Sequence, residues 1–143
     1  MRNAFTVLEL LLVVAVIGIL ATVTVLNLSG LRPEAVRAKI LADLRNIESA
    51  LITYEARHYS YPPVSDWEDY LLADSPRIID RIPEDPYSPT GAHYQYDLDT
   101  TTTPGTYLIL SVGPDKTRTA IVGNDVVTNV NDDIIVTNAR NIQ

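Results

Sequence analysis

The first half of the chain carries two successive hydrophobic patterns, and together they predict one long helix with two different surroundings. Residues 5–28 are almost wholly apolar, and their single charged side chain is Glu9. About 20 apolar residues, each rising about 1.5 Å along a helix, span the hydrocarbon of a bilayer. A secretory signal peptide has a shorter apolar core. The run therefore predicts a transmembrane helix rather than a signal peptide.

Residues 34–60 predict the second, amphipathic half of the same helix. Apolar side chains recur there at spacings of three and four, as on one face of a helix. The stripe consists of Val36, Ile40, Leu44, Ile47, Leu51 and Tyr54. Pro62 and Pro63 mark the end of the helix, because proline has no backbone N–H to continue the hydrogen-bond ladder. Between the two halves, the Ser, Gly and Pro within residues 27–33 predict a kink or a short unwound stretch.

After Tyr61 the chain changes to loops and short strands. A short helix is predicted around residues 67–73. Five β-like runs follow, each bounded by Gly, Pro, Asn or Asp: residues 94–98, 106–112, 120–122, 126–130 and 134–137. The Gly-Asn-Asp sequence at 123–125 predicts a hairpin turn, since Gly and Asn tolerate positive φ. One antiparallel sheet of three to five strands within residues 94–137, lying across the amphipathic helix, gives an α+β fold.

Composition and charge narrow the function classes. The 143 residues carry a formal net charge of −7 and no cysteine. Nucleic-acid binding needs a basic surface, so a DNA or RNA partner is not expected. Without cysteine there is neither a disulfide nor a thiolate metal site. The sequence has no Gly-rich phosphate loop, nucleophile elbow or zinc-type His pair, and His58 and His93 are isolated, so we expect a protein that is not an enzyme.

Glu9 is the candidate functional residue of the apolar run. An ionisable group at the centre of a bilayer costs at least about 2.5 kcal/mol, so it needs a partner. The alternative is that Glu9 only lies near a helix N-terminus, whose dipole favours a carboxylate by about 0.3–1 kcal/mol.

The start of the chain resembles a known processing signal. Residues 4–9 read Ala-Phe-Thr-Val-Leu-Glu. This is similar to the signal of type IV pilins and type II secretion pseudopilins, with a short basic leader, Phe as first mature residue and Glu as the fifth. The resemblance implies a leader peptide at 1–4 and cleavage between Ala4 and Phe5 by a prepilin peptidase, which also methylates the Phe5 amine. Ala4 stands where Gly is usual in that signal.

Four later blocks sharpen the resemblance. They are Tyr-Pro at 61–62, Ile-Pro-Glu-Asp-Pro-Tyr at 82–87, Tyr-Gln-Tyr at 94–96 and Leu-Ser-Val-Gly-Pro-Asp at 110–115. In order, they resemble blocks of the major pseudopilin family of type II secretion, the G subunit. The resemblance implies a type IV pilin-like fold and a structural subunit of the pseudopilus, which helps to export folded proteins across the outer membrane. The alternatives are a type IV pilin in adhesion, motility or DNA uptake, and a membrane-anchored binding module.

The same resemblance implies a location and partners. Residues 5–28 would form the helix that spans the bacterial inner membrane and later packs in the filament core, and residues 29–143 would form a periplasmic head. The partners would be other copies of the chain, minor pseudopilins, the prepilin peptidase, the inner-membrane secretion platform and, before assembly, membrane lipid. In the filament, Glu9 of one copy would pair with a Phe5 amine and set the axial register, because a misaligned buried charge is left uncompensated.

A calcium site in the C-terminal loop is also implied by the resemblance. Its ligands would be Asp115, Asp132 and Asp133. Calcium takes six to eight oxygen ligands, so carboxylates, backbone carbonyls and water can combine to bind it. The insertion at 116–131 is longer than the loop of that family, but loop-closure entropy grows only logarithmically, so a hairpin there need not separate the ligands. The alternatives are that each Asp bonds its own backbone in a turn, or that Asp125 takes part instead.

Overall fold

The computed structural model describes residues 6–128 and 130–143, with the side chains of 23–32 excepted. One long helix, α1, occupies Val7–His58 and contains Pro33 in its interior. The helical backbone is continuous across residues 27–33, so the unwound stretch predicted there is wrong. Pro33 cannot donate a backbone hydrogen bond at its own position, but the helical backbone continues on both sides of it.

The chain forms two compact units, Met1–Val36 and Arg37–Gln143. In the first unit, every described side chain from Thr6 to Thr22 is exposed. The large apolar side chains there, from Val7 to Leu20, are between 47% and 80% exposed. No helix in the described part of the chain combines the length and the apolar character that crossing a membrane requires.

In the second unit, α1 buries the predicted apolar stripe. Ile40, Leu44, Ile47 and Leu51 are fully buried and Tyr54 is nearly so. Each such side chain contributes about 1.5–3 kcal/mol of burial free energy. The helix ends in a left-handed cap, because Tyr59 has φ 59° and its N–H donates to the carbonyl of Glu55 over 2.7 Å. The amphipathic half of the helix prediction is therefore confirmed.

A second helix, α2, covers Trp67–Ala73 and matches the short helix predicted there. A single 3₁₀ turn, Val64–Asp66, leads into it. Trp67 and Leu71 are its buried side chains. The Trp67 ring lies 5.4 Å from the ring of Tyr96, so α2 packs on the first strand of the sheet described next.

Six strands follow: β1 (Gln95–Asp99), β2 (Thr106–Ser111), β3 (Ile121–Gly123), β4 (Val126–Thr128), β5 (Ile134–Thr137) and β6 (Asn141–Ile142). They form two three-stranded sheets, ordered β1-β2-β5 and β3-β4-β6. The first sheet is antiparallel, whereas β4 and β6 are parallel. The α+β class and the five predicted strands are confirmed, but the expectation of one antiparallel sheet is wrong. The β3–β4 hairpin pairs with β6 instead, and β6 has too few residues for a periodic pattern.

The turn between β3 and β4 is a two-residue hairpin loop. Gly123 pairs with Val126, and Asn124 and Asp125 have φ of 52° and 61°. Positive φ at both central residues is the geometry of a type I′ turn, whose twist matches that of the flanking strands. The hairpin predicted at 123–125 is confirmed, with the left-handed residues one position later than glycine.

Tyrosine hydroxyls join the sheet to α1 inside the second unit. The Tyr94 hydroxyl donates to Asp43 Oδ2 and the Tyr107 hydroxyl to Glu48 Oε1, both over 3.0 Å. Both tyrosines are almost completely buried. Burial, with the neighbouring carboxylate as a second cause, raises the pKa of Tyr94 and of Tyr107 well above the usual tyrosine range. These hydrogen bonds hold the region of the first sheet on the amphipathic half of α1 while the hydroxyls stay protonated.

Candidate functional site

Glu9 lies in a capping box at the start of α1. The N–H and the hydroxyl of Thr6 donate to Glu9 Oε2 over 3.0 and 2.9 Å, and the Glu9 N–H lies 3.3 Å from Thr6 Oγ1. This reciprocal pairing satisfies backbone N–H groups that have no partner within the helix. The signal was readable in the sequence, since Thr-x-x-Glu before an apolar run is the pattern of such a cap. Glu9 Oε1 takes no hydrogen bond from the described residues.

The processing residues Ala4 and Phe5 lie outside the described residues. The cleavage and methylation expected there therefore stay predictions. The structure describes the chain from Thr6 onward, where the exposed apolar surface and the Glu9 cap begin.

Two acidic residues join the segments on either side of the β3–β4 hairpin. Asp132 Oδ2 accepts a hydrogen bond from the Asp115 N–H over 3.0 Å. Asp133 Oδ2 accepts three, from the Thr119 N–H, the Thr119 hydroxyl and the Ala120 N–H, over 2.6–3.0 Å. Despite the long insertion, Asp132 thus lies against the backbone of Asp115, whereas Asp133 lies against Thr119 and Ala120. For Asp132 and Asp133, the alternative that each bonds only its own turn does not hold.

Gly113 shows how closely the two segments approach. Its φ is 70°, and a Cβ there would lie 2.5 Å from the carbonyl oxygen of Asp132 and 2.8 Å from its Oδ2. Only glycine adopts this backbone conformation readily and leaves room for the neighbouring carbonyl. The sequence places Gly113 in the Gly-Pro-Asp block, but its contact with Asp132 is visible only in the structure.

The acidic residues of this loop do not form a complete calcium site by themselves. Asp133 Oδ1 is buried and has no hydrogen-bond partner in the described part of the chain, which makes it a candidate ligand. Asp115 Oδ1 accepts from the Thr117 N–H over 2.7 Å, as in an Asx turn. Among the described residues, no three His, Cys, Asp or Glu side chains converge as metal ligands. Backbone carbonyls and water would have to complete the coordination.

Asp125, the alternative ligand, lies in a different set of contacts. Its Oδ1 accepts from the Thr106 hydroxyl over 2.9 Å, and its Oδ2 is 3.0 Å from Arg140 Nε. Its own N–H lies 3.4 Å from Asp99 Oδ2. Asp125 therefore fixes the tip of the hairpin and does not join Asp132 and Asp133.

Asp85 is a buried carboxylate that sequence reasoning missed. It is 3% exposed. Its Oδ1 accepts from the Ser111 hydroxyl over 2.8 Å and from the Tyr87 N–H over 2.9 Å, and its Oδ2 accepts from the Val112 N–H over 3.1 Å. It ties the proline-rich loop to the end of β2, next to Gly113. The Ile-Pro-Glu-Asp-Pro-Tyr block contains Asp85, but its partners are distant in sequence.

The two histidines lie at the surface and pair with carboxylates. His58 Nε2 is 3.2 Å from Asp74 Oδ1, and His93 Nδ1 is 2.8 Å from Glu68 Oε2. Arg57 Nη1 lies 2.8 Å from the second Asp74 oxygen. Burial opposes ionisation of Asp74, but the hydrogen bonds from Arg57 and His58 outweigh it and lower the pKa of Asp74. These pairs connect surface segments of the second unit.

The architecture defines a class of protein. A long N-terminal helix begins with an exposed apolar surface, and its amphipathic second half packs on a small sheet. This is the type IV pilin-like fold.

Comparison with known proteins identifies a family within this class. The type II secretion system core protein G of Escherichia coli (strain K12) is 30% identical over 126 residues, which cover 80% of this chain and 83% of that protein. The core protein G of Klebsiella pneumoniae is 32% identical over 125 residues, covering 80% and 86%. The crystal structure of the major pseudopilin from the type 2 secretion system of enterohaemorrhagic Escherichia coli is 28% identical, with a TM-score of 0.49 and coverage of 76% and 92%. No protein-family model matches the chain.

The chain belongs to the family of type II secretion system core protein G, the major pseudopilins. It is a structural subunit of the pseudopilus, a periplasmic assembly of several kinds of subunit. The resemblance carried by residues 4–9 and by the later blocks is thereby confirmed at the level of the family.

Proposed function

We propose that this chain polymerises through the first part of α1 and so builds the filament that helps to export folded proteins. The observation that carries the proposal is the exposed apolar surface between Val7 and Leu20, where the large side chains are 47–80% exposed. A continuous exposed apolar surface is unfavourable in water, and covering it gains about 25 cal/mol for each Å² of apolar area buried. Packing against the same surface of other copies covers it. The role is structural rather than catalytic.

The charge of Glu9 sets the register of the incoming subunit in this proposal. The cap with Thr6 uses Oε2 and fixes the carboxylate, and Oε1 stays open to an outside donor. After cleavage behind Ala4, the Phe5 amine of another copy supplies a cation of the right charge. A buried carboxylate without such a partner costs several kcal/mol, so misaligned copies are disfavoured.

Glu9→Gln and Thr6→Ala separate the charge from the cap. Glutamine can take the place of glutamate in a capping box, so Glu9→Gln keeps the start of the helix and removes only the charge. Thr6→Ala removes the side-chain half of the cap and keeps the charge. We expect Glu9→Gln to abolish filament formation in cells that carry the secretion system, as seen by electron microscopy of sheared filaments, while the protein level is unchanged. Normal filaments with Glu9→Gln would rule out the register role.

We also propose the location and partners that precede assembly. The chain resides in the inner membrane through residues 5–28, is cut and methylated by the prepilin peptidase between Ala4 and Phe5, and carries its head in the periplasm. Its apolar sequence and the match of residues 4–9 to the processing signal support this. Minor pseudopilins and the inner-membrane secretion platform are its other partners. Fractionation of cells and mass measurement of the mature N-terminus test the proposal, and an intact Met1 on the assembled protein would contradict it.

We also propose that the loop containing Asp115, Asp132 and Asp133 binds a calcium ion. When bound, it would supply a divalent charge that offsets the three carboxylates. The buried Asp133 Oδ1 without a partner among the described residues supports this. Calcium in excess over its dissociation constant stabilises the fold by mass action. The thermal unfolding temperature should differ between calcium and chelator for the natural chain, and should not differ for Asp132→Ala or Asp115→Ala. Identical unfolding curves of the natural chain with chelator and with millimolar calcium would rule out the calcium site.

A further inference from the structure

A pocket of about 490 Å³ opens between the end of α1 and α2. Its lining residues are Tyr54, His58, Asp69, Tyr70, Ala73 and Asp74. The rings of Tyr54 and His58 are stacked with their centroids 4.2 Å apart, and Tyr70 stands edge-on to Tyr54 at 6.2 Å and 82°. The aromatic rings therefore form two walls that meet almost at a right angle.

One carboxylate of this pocket is unpaired among the described residues. The Asp74 oxygens are engaged by Arg57 and His58. The side chain of Asp69 is exposed and has no ion pair or hydrogen bond within residues 6–128 and 130–143. A guanidinium group stacks on aromatic faces and binds carboxylates through its planar fork of N–H donors. The pocket thus has the chemistry of a site for an arginine side chain.

Arg45 has the complementary charge and lies on the side of α1 opposite to the pocket. It is exposed and makes no ion pair within the described part of the chain. It precedes Tyr54 on α1 by nine residues, which amounts to about 13.5 Å along the axis and about half a turn around it. Arg45 therefore faces away from the pocket of its own chain. Interfaces that generate helical filaments are heterologous, so two different faces of the subunit meet.

We propose that the pocket between α1 and α2 binds Arg45 of a second copy of this chain. The proposal rests on the proposed filament and adds a contact between heads to the packing of the apolar helices. The other exposed arginine on this half of α1 without an ion pair among the described residues, Arg37, lies about 25 Å from Tyr54 along the axis and is turned only about 100° from it. Arg45 is the arginine that faces directly away from the pocket and is offset by a short axial step.

Crosslinking between two tagged copies tests the pairing. The chain contains no cysteine, so introduced cysteines are its only thiols. A copy with Arg45→Cys and a copy with Asp69→Cys carry different tags, are expressed together, and are treated as filaments with a short bismaleimide. We expect a crosslinked species with both tags. The matched controls replace Arg45→Cys by Arg37→Cys, or Asp69→Cys by Asp66→Cys, an acidic residue outside the pocket, and should give at least tenfold less product.

Charge reversal gives a second, independent readout. Asp69→Arg and Arg45→Asp are each expected to reduce filament yield about tenfold, the change that 1.4 kcal/mol produces, and the double variant should restore it. Both side chains are exposed, so circular dichroism should show an unchanged fold. Filaments of normal yield with Asp69→Arg, or equal crosslinking of the control pairs, would overturn the pairing while leaving the filament intact. Absence of filaments from the natural chain would instead contradict the proposed function itself.

Discussion

Removal of the Asp85 carboxylate is expected to be among the most destabilising single changes in the head. Asp85→Ala leaves the Ser111 hydroxyl and the Val112 N–H buried without an acceptor, and it also removes the acceptor of the partly buried Tyr87 N–H. An unsatisfied buried donor costs about 1–3 kcal/mol, so the two buried donors alone give a loss of about 4 kcal/mol. A domain of this size is stable by only about 5–15 kcal/mol.

Urea unfolding of the unit Arg37–Gln143 measures this loss. Trp67 is the only tryptophan of the chain and is 6% exposed, so its fluorescence reports on the folded head. Asp85→Asn keeps the side-chain shape and one acceptor oxygen but places its NH₂ group against a donor N–H. We expect this change to lower the free energy of unfolding by about 2 kcal/mol. Asp80→Asn is the control, because Asp80 is exposed and, among the described residues, pairs only with Arg77 at the surface, an interaction worth at most about 1 kcal/mol.

A double-mutant cycle shows whether the cost comes from the orphaned donor. Ser111→Ala in the Asp85→Ala background removes one of the donors that the first change leaves unpaired, so it should cost less there than in the natural chain. Additive effects, or a loss below about 1 kcal/mol for Asp85→Ala, would refute the view that Asp85 organises this region.

Three further predictions concern the same unit. Gly113→Ala should destabilise the fold by about 2 kcal/mol or more, because φ is 70° and the new Cβ would lie 2.5 Å from the Asp132 carbonyl oxygen. Gly123→Ala is the control and should change the stability little, because the space around Gly123 is open. Equal effects of the two changes in urea unfolding would contradict this. Tyr59→Gly should stabilise by about 1 kcal/mol, since an exposed tyrosine there holds φ 59° at a helix end, and unchanged stability would show that this conformation is not strained. The free energy of unfolding should fall as pH rises above about 10, by about 1.4 kcal/mol per pH unit for each buried tyrosine. The reason is that the unfolded chain ionises tyrosines that remain protonated in the fold. Ultraviolet titration that showed these tyrosines ionising near pH 10 in the folded protein would disprove this. The pKa is raised, mainly by burial, for Tyr94, Tyr96 and Tyr107.

Sequence periodicity was sufficient where neighbours along the chain decide the structure. The spacing of Ile40, Leu44 and Leu51 identified the buried face of α1, and turn residues placed the β3–β4 hairpin. The strand pairing was less predictable, because nothing local in residues 141–142 marks β6 as the parallel partner of β4. A two-residue strand carries no period, and its pairing is decided by residues distant in sequence.

The candidate sites divide in the same way. The capping box of Thr6 and Glu9 was not predicted, although its Thr-x-x-Glu pattern spans only three positions and is a known signature of a helix N-terminus. Asp85 and Ser111 are 26 positions apart, and no spacing rule connects a loop carboxylate to a strand hydroxyl at that distance. The approach of Asp132 to Gly113 was not predicted, because the family resemblance grouped Asp132 only with Asp115 and Asp133 and no local pattern fixes a contact across the hairpin between them.

The long insertion between Asp115 and Asp132 has a packing role that explains the composition of β2. All six residues of β2 are buried, although side chains alternate between the two faces of a strand. Tyr107 faces α1, where its hydroxyl meets Glu48. Leu108 and Leu110 point to the opposite face and form a buried cluster with Val127 of β4 and with Ala120. A strand buried on both faces is typically a continuous apolar run, as residues 107–110 of β2 are, and it needs a layer on each side. The β3–β4 hairpin is that second layer, so in this chain the insertion near the acidic loop covers the core rather than extending from it.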